Sequence, residues 1–348
     1  MTVNTPSMMF CQTILEVREV SQVGEARREA QRIAVAAGLT TPEAGKVAII
    51  ATEMATNLSQ YASSGEILLR SFDLQGCAGV ELLAIDRGPG MSDVAKCIED
   101  GYSTGGSTGT GLGAMQRLAT EFDLHSQKPQ GTVVFARVQS RLKSQPDSFR
   151  FEWGVINCPA RGENVCGDTW RIACHRGRLT VLIADGLGHG PQAAAAAAEA
   201  AHVFEEAQFT SITDYLSCAH GRMANTRGAA LAVAQIDGMS GILSYSGVGN
   251  IAGSLRSRRE ESSRGLVSHH GIVGAQLRKV QQFDYECPVE PVLILHSDGM
   301  QSRWSLDSYP GLIQRHPAVV AGVLYRDFSR GHDDITVCVV RFLTSPAG

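Results

Sequence analysis

The sequence lacks the features that mark several common protein classes. Its nine cysteines include no CxxC pair and no histidine at zinc-ligand spacing, so neither a zinc site nor a disulfide framework is expected. Scattered cysteines of this kind fit small buried side chains in a reducing cytosol. The formal net charge of −4 provides no basic field for nucleic-acid phosphates. Nucleic acid is therefore not expected as a partner.

Long apolar runs are also missing. No stretch reaches the roughly 20 apolar residues that a bilayer span needs, and the chain does not open with a basic segment followed by an apolar one. We expect a cytoplasmic protein without a membrane partner. The composition is that of a globular protein, 43% hydrophobic and 19% charged, with 37 glycines that permit sharp turns and close approach of backbone to a ligand.

The length of 348 residues fits two domains, each able to bury its own core. Helical and strand-like patterns alternate from Ile14 to Phe135, and the polar stretch Arg141–Ser148 then interrupts them. The second half begins and ends with β-branched, strand-like runs at 151–158 and 335–342. We therefore predict three parts: an N-terminal domain 1–140, a linker 141–150 and a C-terminal domain 151–348.

A helix in the first domain carries two polar side chains of interest. Thr41-Pro42-Glu43 predicts a start with Thr41 as the N-cap, and the helix runs to Tyr61. Glu53 and Asn57 are four residues apart and so share one face of this helix. A carboxylate can accept a proton there while an amide oxygen holds a hydrated Mg²⁺. Taken alone, the pair is equally typical of an ordinary exposed helix face.

Two glycine-rich segments follow the strand that ends at Ile85. Asp86 is followed by Gly88 and Gly90, and an aspartate at a strand end can accept a hydrogen bond from an exocyclic amine such as that of adenine. The segment Gly109–Gly113 precedes a predicted helix 114–121, so that backbone N–H groups would converge there on an anion. A flexible loop is the other interpretation. Neither GxxxxGK[ST] nor a dinucleotide fingerprint is present.

In their order along the chain, these segments resemble the GHKL ATPases, most closely the RsbT-like anti-sigma and stressosome switch serine kinases, over residues 12–138. The motifs that carry the resemblance are Thr52–Asn57, Asp86–Gly90, Asp100–Thr104, Gly109–Gly113 and Gly131-Thr132. The resemblance implies that Glu53 is a general base, that Asn57 holds Mg²⁺ and that Asp86 binds adenine. It implies ATP contacts from Gly88, Gly90, Ser103, Thr104, Gly109, Thr110, Gly111, Leu112, Gly113 and Thr132.

Aspartates adjoin apolar strands at four places in the second half. They are Asp168, Asp185, Asp298 and the pair Asp333-Asp334. Carboxylates at the ends of strands in one sheet converge, and clustered carboxylates are costly unless cations neutralise them. Oxygen ligands suit Mg²⁺ or Mn²⁺, and two such ions can activate a bridging water for attack on a phosphate. Any single Asp-Gly is more typical of a turn.

The motifs around these aspartates resemble the PPM phosphatases, best their SpoIIE and RsbX branch. The motifs are Gly167-Asp168, Asp185–Gly190, Gly247–Asn250, Ser297–Gly299 and His332–Thr336. The resemblance implies metal ligands at Asp168, Asp185, Asp298 and Asp333, with the carbonyl of Gly186. Asp334 stands where many relatives have Asn, which leaves the choice within Asp333-Asp334 open. Arg161 is a candidate for phosphate binding.

These patterns predict an α/β (α+β) protein: a two-layer GHKL ATP-binding sandwich followed by an α-β-β-α PPM sandwich. The two resemblances imply a kinase using ATP and Mg²⁺ and a phosphatase using two Mn²⁺ or Mg²⁺ ions, which together set the Ser/Thr phosphorylation of a STAS-domain partner. A second regulatory phosphatase or a sigma-factor regulator is a further candidate partner. One alternative is a nucleotide-sensing module that acts by contact, and another is an enzyme in which one domain only regulates the other.

Overall fold

The computed structural model describes residues 11–62, 64–74, 77–99, 111–140, 150–175, 177–206 and 211–343. The chain forms two compact units. The first comprises Met1–Gln145 and Leu306–Arg326, and the second comprises Pro146–Ser305 and Asp327–Gly348. The sequence did not indicate that Leu306–Arg326, which lies between two predicted metal-ligand positions, would belong to the first unit.

The first unit is built on one antiparallel sheet with strand order β1-β2-β3-β5-β4. Its elements are β1 (Thr13–Val17), α1 (Val23–Ala36), α2 (Thr41–Tyr61), β2 (Gly65–Leu74), β3 (Cys77–Asp86), α3 (Val94–Ile98), α4 (Gly111–Leu118), β4 (Glu121–Gln127) and β5 (Gly131–Gln139). The side chains of α1, α2 and α4 share one apolar core with one face of this sheet. This arrangement is the two-layer sandwich that the sequence predicted.

Helix α2 begins one residue earlier than predicted, with Thr40 as the N-cap. The Thr40 side chain accepts from the backbone N–H of Glu43, and the Glu43 carboxylate accepts from Thr40 N at 2.8 Å. This capping box requires a hydroxyl and an acid three residues apart, and Thr41 has no acid at that distance. The prediction of Thr41 as the N-cap was therefore wrong.

The helix predicted over 114–121 is also shifted. Helix α4 spans Gly111–Leu118, and Glu121 is the first residue of strand β4. Glu121 pairs in register with Arg137 of β5 and forms an ion pair with it at 3.0 Å. This cross-strand pairing prevents the helix from continuing, since a residue cannot serve both a helix and a sheet ladder.

The second face of the first unit's sheet contacts the segment Leu306–Arg326. In β3 and β5 the side chains alternate between faces, so Leu82 and Ala84 join the helical core while Leu83 and Ile85 point the other way. A methyl group at Gly322 would lie 2.8 Å from Val133 and 3.3 Å from Leu83. The segment therefore packs its backbone closely against this face.

The second unit contains two sheets. The first has order β13-β10-β9-β8-β7 with β14 also paired to β10, and the second has order β12-β11-β15-β16-β6. The elements are β6 (Arg150–Cys158), β7 (Asp168–His175), β8 (Arg178–Gly186), α5 (Pro191–Glu206), α6 (Ile212–Arg222), β9 (Ala229–Asp237), β10 (Ile242–Val248), β11 (Ala252–Ser257), β12 (Ser263–Leu266), β13 (Ser268–His269), β14 (Phe283–Glu286), β15 (Pro291–His296) and β16 (Ile335–Leu343). Helix α7 (Pro317–Phe328) precedes β16 in sequence, but all except its last two residues lie in the first unit.

The layers of the second unit follow from the alternation of side chains between the two faces of its strands. Leu182 and Ala184 of β8 join the core formed with α5 and α6. On the opposite face, Trp170 of β7 lies 5.5 Å, ring centre to ring centre, from Trp153 of β6 in the other sheet. The two sheets therefore pack face to face, with helices outside the first, as in the predicted PPM-type sandwich. Within the described part of the chain, no helix has the length and apolarity to cross a membrane.

Candidate functional site

Asp86 ends strand β3 in the first unit, half-buried and held in place. Its Oδ1 accepts hydrogen bonds from the backbone N–H of Gly88 at 2.7 Å and of Thr132 at 3.3 Å. Burial raises the pKa of this carboxyl, while the two backbone bonds and the charge of Arg326 oppose the rise. Because two backbone amides hold one oxygen, the carboxylate is fixed in an orientation in which it can also accept from a ligand amine.

The glycines around Asp86 leave no room for side chains. A methyl group at Gly131, where φ is +93°, would overlap the carbonyl oxygen of Asp86. A methyl group at Gly88 would lie 2.9 Å from Oδ1 of Asp86 and 3.0 Å from the carbonyl oxygen of Tyr61. Gly90 has φ +68° and lies against the carbonyl of Gln127. Close backbone packing therefore shapes the surroundings of Asp86.

Glu53 and Asn57 meet the N-terminus of α4. A methyl group at Gly111 would lie 2.9 Å from Oε2 of Glu53 and 3.7 Å from Oδ1 of Asn57. The two side chains on α2, both half-buried, thus converge on the first residue of α4, where unpaired backbone N–H groups favour an anion. Of the predicted glycine-rich segment, Leu112 packs against the core and Gly113 is buried.

Four of the predicted ATP contacts belong to a segment that the structure does not describe. Ser103, Thr104, Gly109 and Thr110 lie outside the described residues.

Asp86 is supported by two residues that the sequence analysis did not identify. Ser126 Oγ accepts from Met91 N at 2.8 Å and lies 2.9 Å from Thr132 Oγ1, so it links the glycine loop to β5. Arg326 donates from Nη1 to the carbonyl oxygen of Asp86 at 3.4 Å across 240 residues of sequence. No local pattern could reveal a contact at that separation.

In the second unit, Asp168 and Asp185 face each other across β7 and β8 in register. Asp168 is buried, and burial is the main cause that raises its pKa, with further raising from the charges of Asp334 and Asp298. Burial also raises the pKa of Asp185, together with the charges of Asp168, Asp298 and Asp333. Like charges directly opposite on a sheet repel, so this pair is electrostatically costly in the absence of a cation.

Asp168 is held by a network of buried polar groups. Ser297 Oγ donates to Oδ2 of Asp168 at 2.6 Å and accepts from Thr336 N at 2.9 Å. Asn157 donates to the carbonyl of Asp168 at 3.3 Å and to Thr336 Oγ1 at 2.8 Å. These contacts fix the carboxylate while leaving its Oδ1 buried and without a hydrogen-bond partner within the described ranges.

Asp298 follows strand β15 and accepts a hydrogen bond from the amide of Asn250 at 2.7 Å. Asn250 belongs to the Gly247–Asn250 motif, to which no individual role was assigned from sequence. The bond orients one carboxylate oxygen of Asp298 and leaves the other available.

The two members of the Asp333-Asp334 pair have different surroundings. Asp334 is buried, and its Oδ1 accepts from Ala160 N at 2.8 Å. Its Oδ2 is so close to Gly167 that a methyl group there would lie 2.6 Å away. Asp333 is half-buried, and its Oδ1 accepts from Asp334 N at 3.0 Å. Asp334 thus links two backbone segments, and Asp333 has the more accessible carboxylate of the two.

The loop Gly186–Gly190 after β8 has little steric freedom. A methyl group at Gly186 would overlap the carbonyl of Ala193 in α5, and Gly188 and Gly190 have φ of +89° and +74°. His189 Nδ1 lies 2.8 Å from Glu163 Oε1, which ties this loop to the one before β7. Arg161, the candidate phosphate ligand, is exposed on that same loop.

These residues fit a divalent cation. The buried unpaired oxygen of Asp168 and the raised pKa values of the opposed aspartates are the conditions that a cation relieves. Over the ranges that the structure describes, no three His, Cys, Asp or Glu side chains are grouped closely enough to hold an ion by themselves. Mg²⁺ usually takes one or two carboxylates and keeps several waters, so the donor set suits such an ion.

Known proteins and families match both halves. Residues 17–138 match the histidine kinase-like ATPase domain, and residues 175–343 match stage II sporulation protein E (SpoIIE). Serine/threonine-protein kinase RsbT of Bacillus subtilis (strain 168) is 35% identical over 111 residues, which cover 32% of this chain and 84% of RsbT. The chain belongs to the RsbT-related histidine kinase-like ATPases, and it joins such a domain to a SpoIIE phosphatase-type domain.

Two solved structures are similar to parts of this chain. One, from work on the bacterial stressosome as a modular system adapted to control secondary messenger signalling, is 25% identical with a TM-score of 0.52, and the match covers 55% of this chain and all of that one. RsbX in complex with magnesium is 19% identical with a TM-score of 0.50, covering 58% of this chain and all of RsbX. The RsbX match supports the fold of the second unit.

Proposed function

We propose that this protein is a bifunctional serine/threonine kinase and metal-dependent serine/threonine phosphatase that sets the phosphorylation state of a STAS-domain partner. The observation that carries the proposal is the presence of two separate polar sites in one chain. Glu53 and Asn57 converge on the start of α4, and Asp168 faces Asp185 in the second unit. Each site supports one direction of the same chemistry.

In the kinase direction, Asp86 orients adenine and the N-terminus of α4 lies against the phosphates. Glu53 accepts the proton of a substrate serine or threonine hydroxyl as that oxygen bonds to the γ-phosphorus. The bond from the γ-phosphorus to the β–γ bridging oxygen breaks, and ADP leaves. Asn57, beside Glu53, would hold Mg²⁺ through its amide oxygen, as the resemblance implies. General bases of this kind contribute roughly 10²- to 10⁴-fold to rate.

In the phosphatase direction, Asp168, Asp185, Asp298 and Asp333 would hold two Mg²⁺ or Mn²⁺ ions together with the carbonyl of Gly186. When bound, such ions lower the pKa of water and neutralise charge that develops on phosphate. This chain's residues keep the carboxylates in place: Ser297 orients Asp168, and Asn250 orients Asp298. As the oxygen of a water molecule bonds to phosphorus, the bond from phosphorus to the serine or threonine oxygen breaks, and the leaving oxygen takes up a proton that the water gives up.

The relationship to RsbT supports a STAS-domain substrate, since switch kinases of this type act on such partners. A direct test mixes the purified chain with radiolabelled ATP, Mg²⁺ and a panel of STAS-domain proteins, then removes ATP and adds Mn²⁺. We expect one partner to gain label in the first phase and to lose it in the second. Absence of label transfer to every partner, together with no release from chemically phosphorylated partner, contradicts the proposal.

Two variants separate the activities. Glu53→Gln should lose label transfer and keep release, whereas Asp185→Asn should keep transfer and lose release. A protein that acts by contact alone would still bind its partner after Glu53→Gln, so a pull-down of the partner with this variant is the control. If Glu53→Gln transfers label at the wild-type rate, the assignment of the base is wrong.

A further inference from the structure

Arg227 lies beside the Gly186–Gly190 loop, which begins directly after the proposed metal ligand Asp185. Leu187 N donates to the carbonyl of Gly228 at 3.0 Å, so the segment containing Arg227 is bonded to the Gly186–Gly190 loop. A methyl group at Gly188 would lie 3.2 Å from Nη1 of Arg227. The guanidinium group is thus placed against the loop that directly follows Asp185.

The backbone at Arg227 is held rigidly. Thr226 Oγ1 donates to Met223 O at 2.8 Å and accepts from Gly228 N at 3.0 Å. Gly228 has φ +79°, and a methyl group there would lie 2.7 Å from the carbonyl of Val273. The turn is therefore fixed on both sides of Arg227, and only the side chain is free to adjust.

The side chain of Arg227 is exposed, and among the described residues it has neither a hydrogen bond nor an ion pair. Other arginines of the same unit pair with acids: Arg171 with Glu205, Arg178 with Asp237 and Arg222 with Glu199 and Glu206. The guanidinium group of Arg227, next to the loop that follows Asp185, is therefore available to bind a ligand.

Charge balance indicates which ligand this is. Two divalent cations would offset the four carboxylates of Asp168, Asp185, Asp298 and Asp333, which leaves a phosphomonoester dianion without a counter-charge. A guanidinium group matches the geometry of phosphate oxygens through paired N–H donors. We propose that Arg227 binds the phosphoryl group of the phosphatase substrate, an inference that rests on the proposed phosphatase function.

Arg161 and Arg330 also lie on loops near the aspartates. Arg161 follows Ala160, which donates to Asp334, and Arg330 N donates to Gly299 O at 2.9 Å. Both are exposed. The guanidinium group of Arg227 lies against the Gly186–Gly190 loop, so we assign the phosphoryl contact to Arg227 in place of Arg161.

The test compares Arg227→Ala and Arg227→Lys with wild type, and uses Arg222→Ala as the matched control because Arg222 pairs with acids on α5 away from the aspartates. Readouts are KM and kcat for a small aryl phosphate, the inhibition constant of inorganic phosphate, and calorimetric binding of inorganic phosphate and of Mn²⁺. We expect Arg227→Ala to raise KM and the phosphate constants roughly 10- to 100-fold, since bonds to charged groups contribute that much.

In the same experiment we expect the Mn²⁺ affinity of Arg227→Ala to equal that of wild type. We expect Arg227→Lys to recover part of the phosphate binding. Phosphate constants within twofold of wild type in Arg227→Ala, or an equal loss of Mn²⁺ affinity, would overturn the inference. A wild-type protein without phosphatase activity would instead contradict the proposed function. Calorimetry of inorganic phosphate on the Mn²⁺-loaded protein still decides the role of Arg227 in that case.

Discussion

His316 Nε2 lies 3.1 Å from Oε2 of Glu121, although 195 residues separate them. The His316 backbone N–H also donates to Asp123 at 2.6 Å, and its ring stacks on Phe135 with centres 4.2 Å apart. These contacts anchor the segment Leu306–Arg326 to the sheet of the first unit. The nucleotide-binding unit is therefore completed by residues that follow most of the phosphatase-type domain in sequence.

Glu121 also ends a charged ladder across four strands. Arg70 pairs with Glu81 at 2.5 Å, Glu81 with Arg137 at 2.7 Å, and Arg137 with Glu121 at 3.0 Å. The first three side chains are almost fully buried. Buried charges are tolerated only when each has a partner. Each member of the ladder has one within the sheet, and His316 gives Glu121 a second.

We expect His316→Ala to destabilise the first unit by about 2 kcal/mol, the cost of losing bonds to charged groups. Hydrogen exchange of the β4 and β5 amides measures this change locally. His175→Ala, at an exposed strand end, is the control and should leave the exchange rates unchanged. Equal protection in both variants would show that the segment contributes no stability there.

The stability of the first unit should depend on pH through Glu121. Burial opposes ionisation of this carboxyl, but the hydrogen bond from His316 and the charges of Arg137 and His316 outweigh it and lower the pKa to about 2. A group whose pKa is lower when folded stabilises above its unfolded pKa and loses that stabilisation as pH falls. Between pH 6 and 3 we expect a loss of about 2 kcal/mol from Glu121.

Urea unfolding at several pH values measures this dependence, followed by a probe in the first unit. Glu121→Gln should be less stable at pH 6 and should lose less stability on acidification than wild type. Parallel pH curves for the two proteins would exclude Glu121 as the source.

Asp185→Asn should stabilise the metal-free second unit while weakening its response to Mn²⁺. The substitution removes the carboxyl group that faces Asp168 in register. Burial raises the pKa of both groups, and the charge of Asp168 further raises that of Asp185. Because folding raises these pKa values, the metal-free protein loses stability as pH increases. Thermal unfolding at pH 8 in EDTA and in Mn²⁺ measures both effects. Equal Mn²⁺-induced shifts in wild type and variant would show that Asp185 is not a ligand of the proposed metal site.

Ser297→Ala should cost about 1–3 kcal/mol, because it leaves the Thr336 N–H and Oδ2 of Asp168 buried without their partner. Loss of such a supporting contact typically weakens metal binding about 10- to 100-fold. Calorimetric Mn²⁺ titration measures the second effect. Ser217→Ala is the control, since its hydroxyl donates only to Thr213 O within α6. Wild-type affinity in Ser297→Ala would refute the supporting role.

Gly131→Ala should abolish ATP binding by the first unit, since the added methyl group would displace the backbone of Asp86. Gly38→Ala is a matched control, because Gly38 also has positive φ, at +78°, yet has no atom within 4 Å of the added methyl group. That control should cost about 1 kcal/mol of backbone strain and keep ATP affinity. Fluorescent ATP-analogue titration measures both variants. Equal affinities would mean that the position of Asp86 does not govern binding.

Local patterns in the sequence were sufficient to identify the candidate catalytic and binding residues. Four-residue spacing on one helix brings Glu53 and Asn57 together, and apolar strand runs place Asp86 and Asp185 at strand ends, because side-chain periodicity is a property of each element by itself. Element ends were less predictable. The start of α2 depends on the Thr40 capping box, and the end of α4 depends on the pairing of Glu121 with Arg137.

Only the tertiary structure decided which distant residues meet. The register of β7 and β8 sets Asp168 opposite Asp185, the turn at Gly228 places Arg227 beside Gly188, and the segment with His316 joins a sheet formed some 195 residues earlier. No periodicity encodes these contacts, because each depends on how separate elements pack and on which buried charges need partners. The sequence thus indicates two catalytic chemistries, and the packing selects the residues that support them.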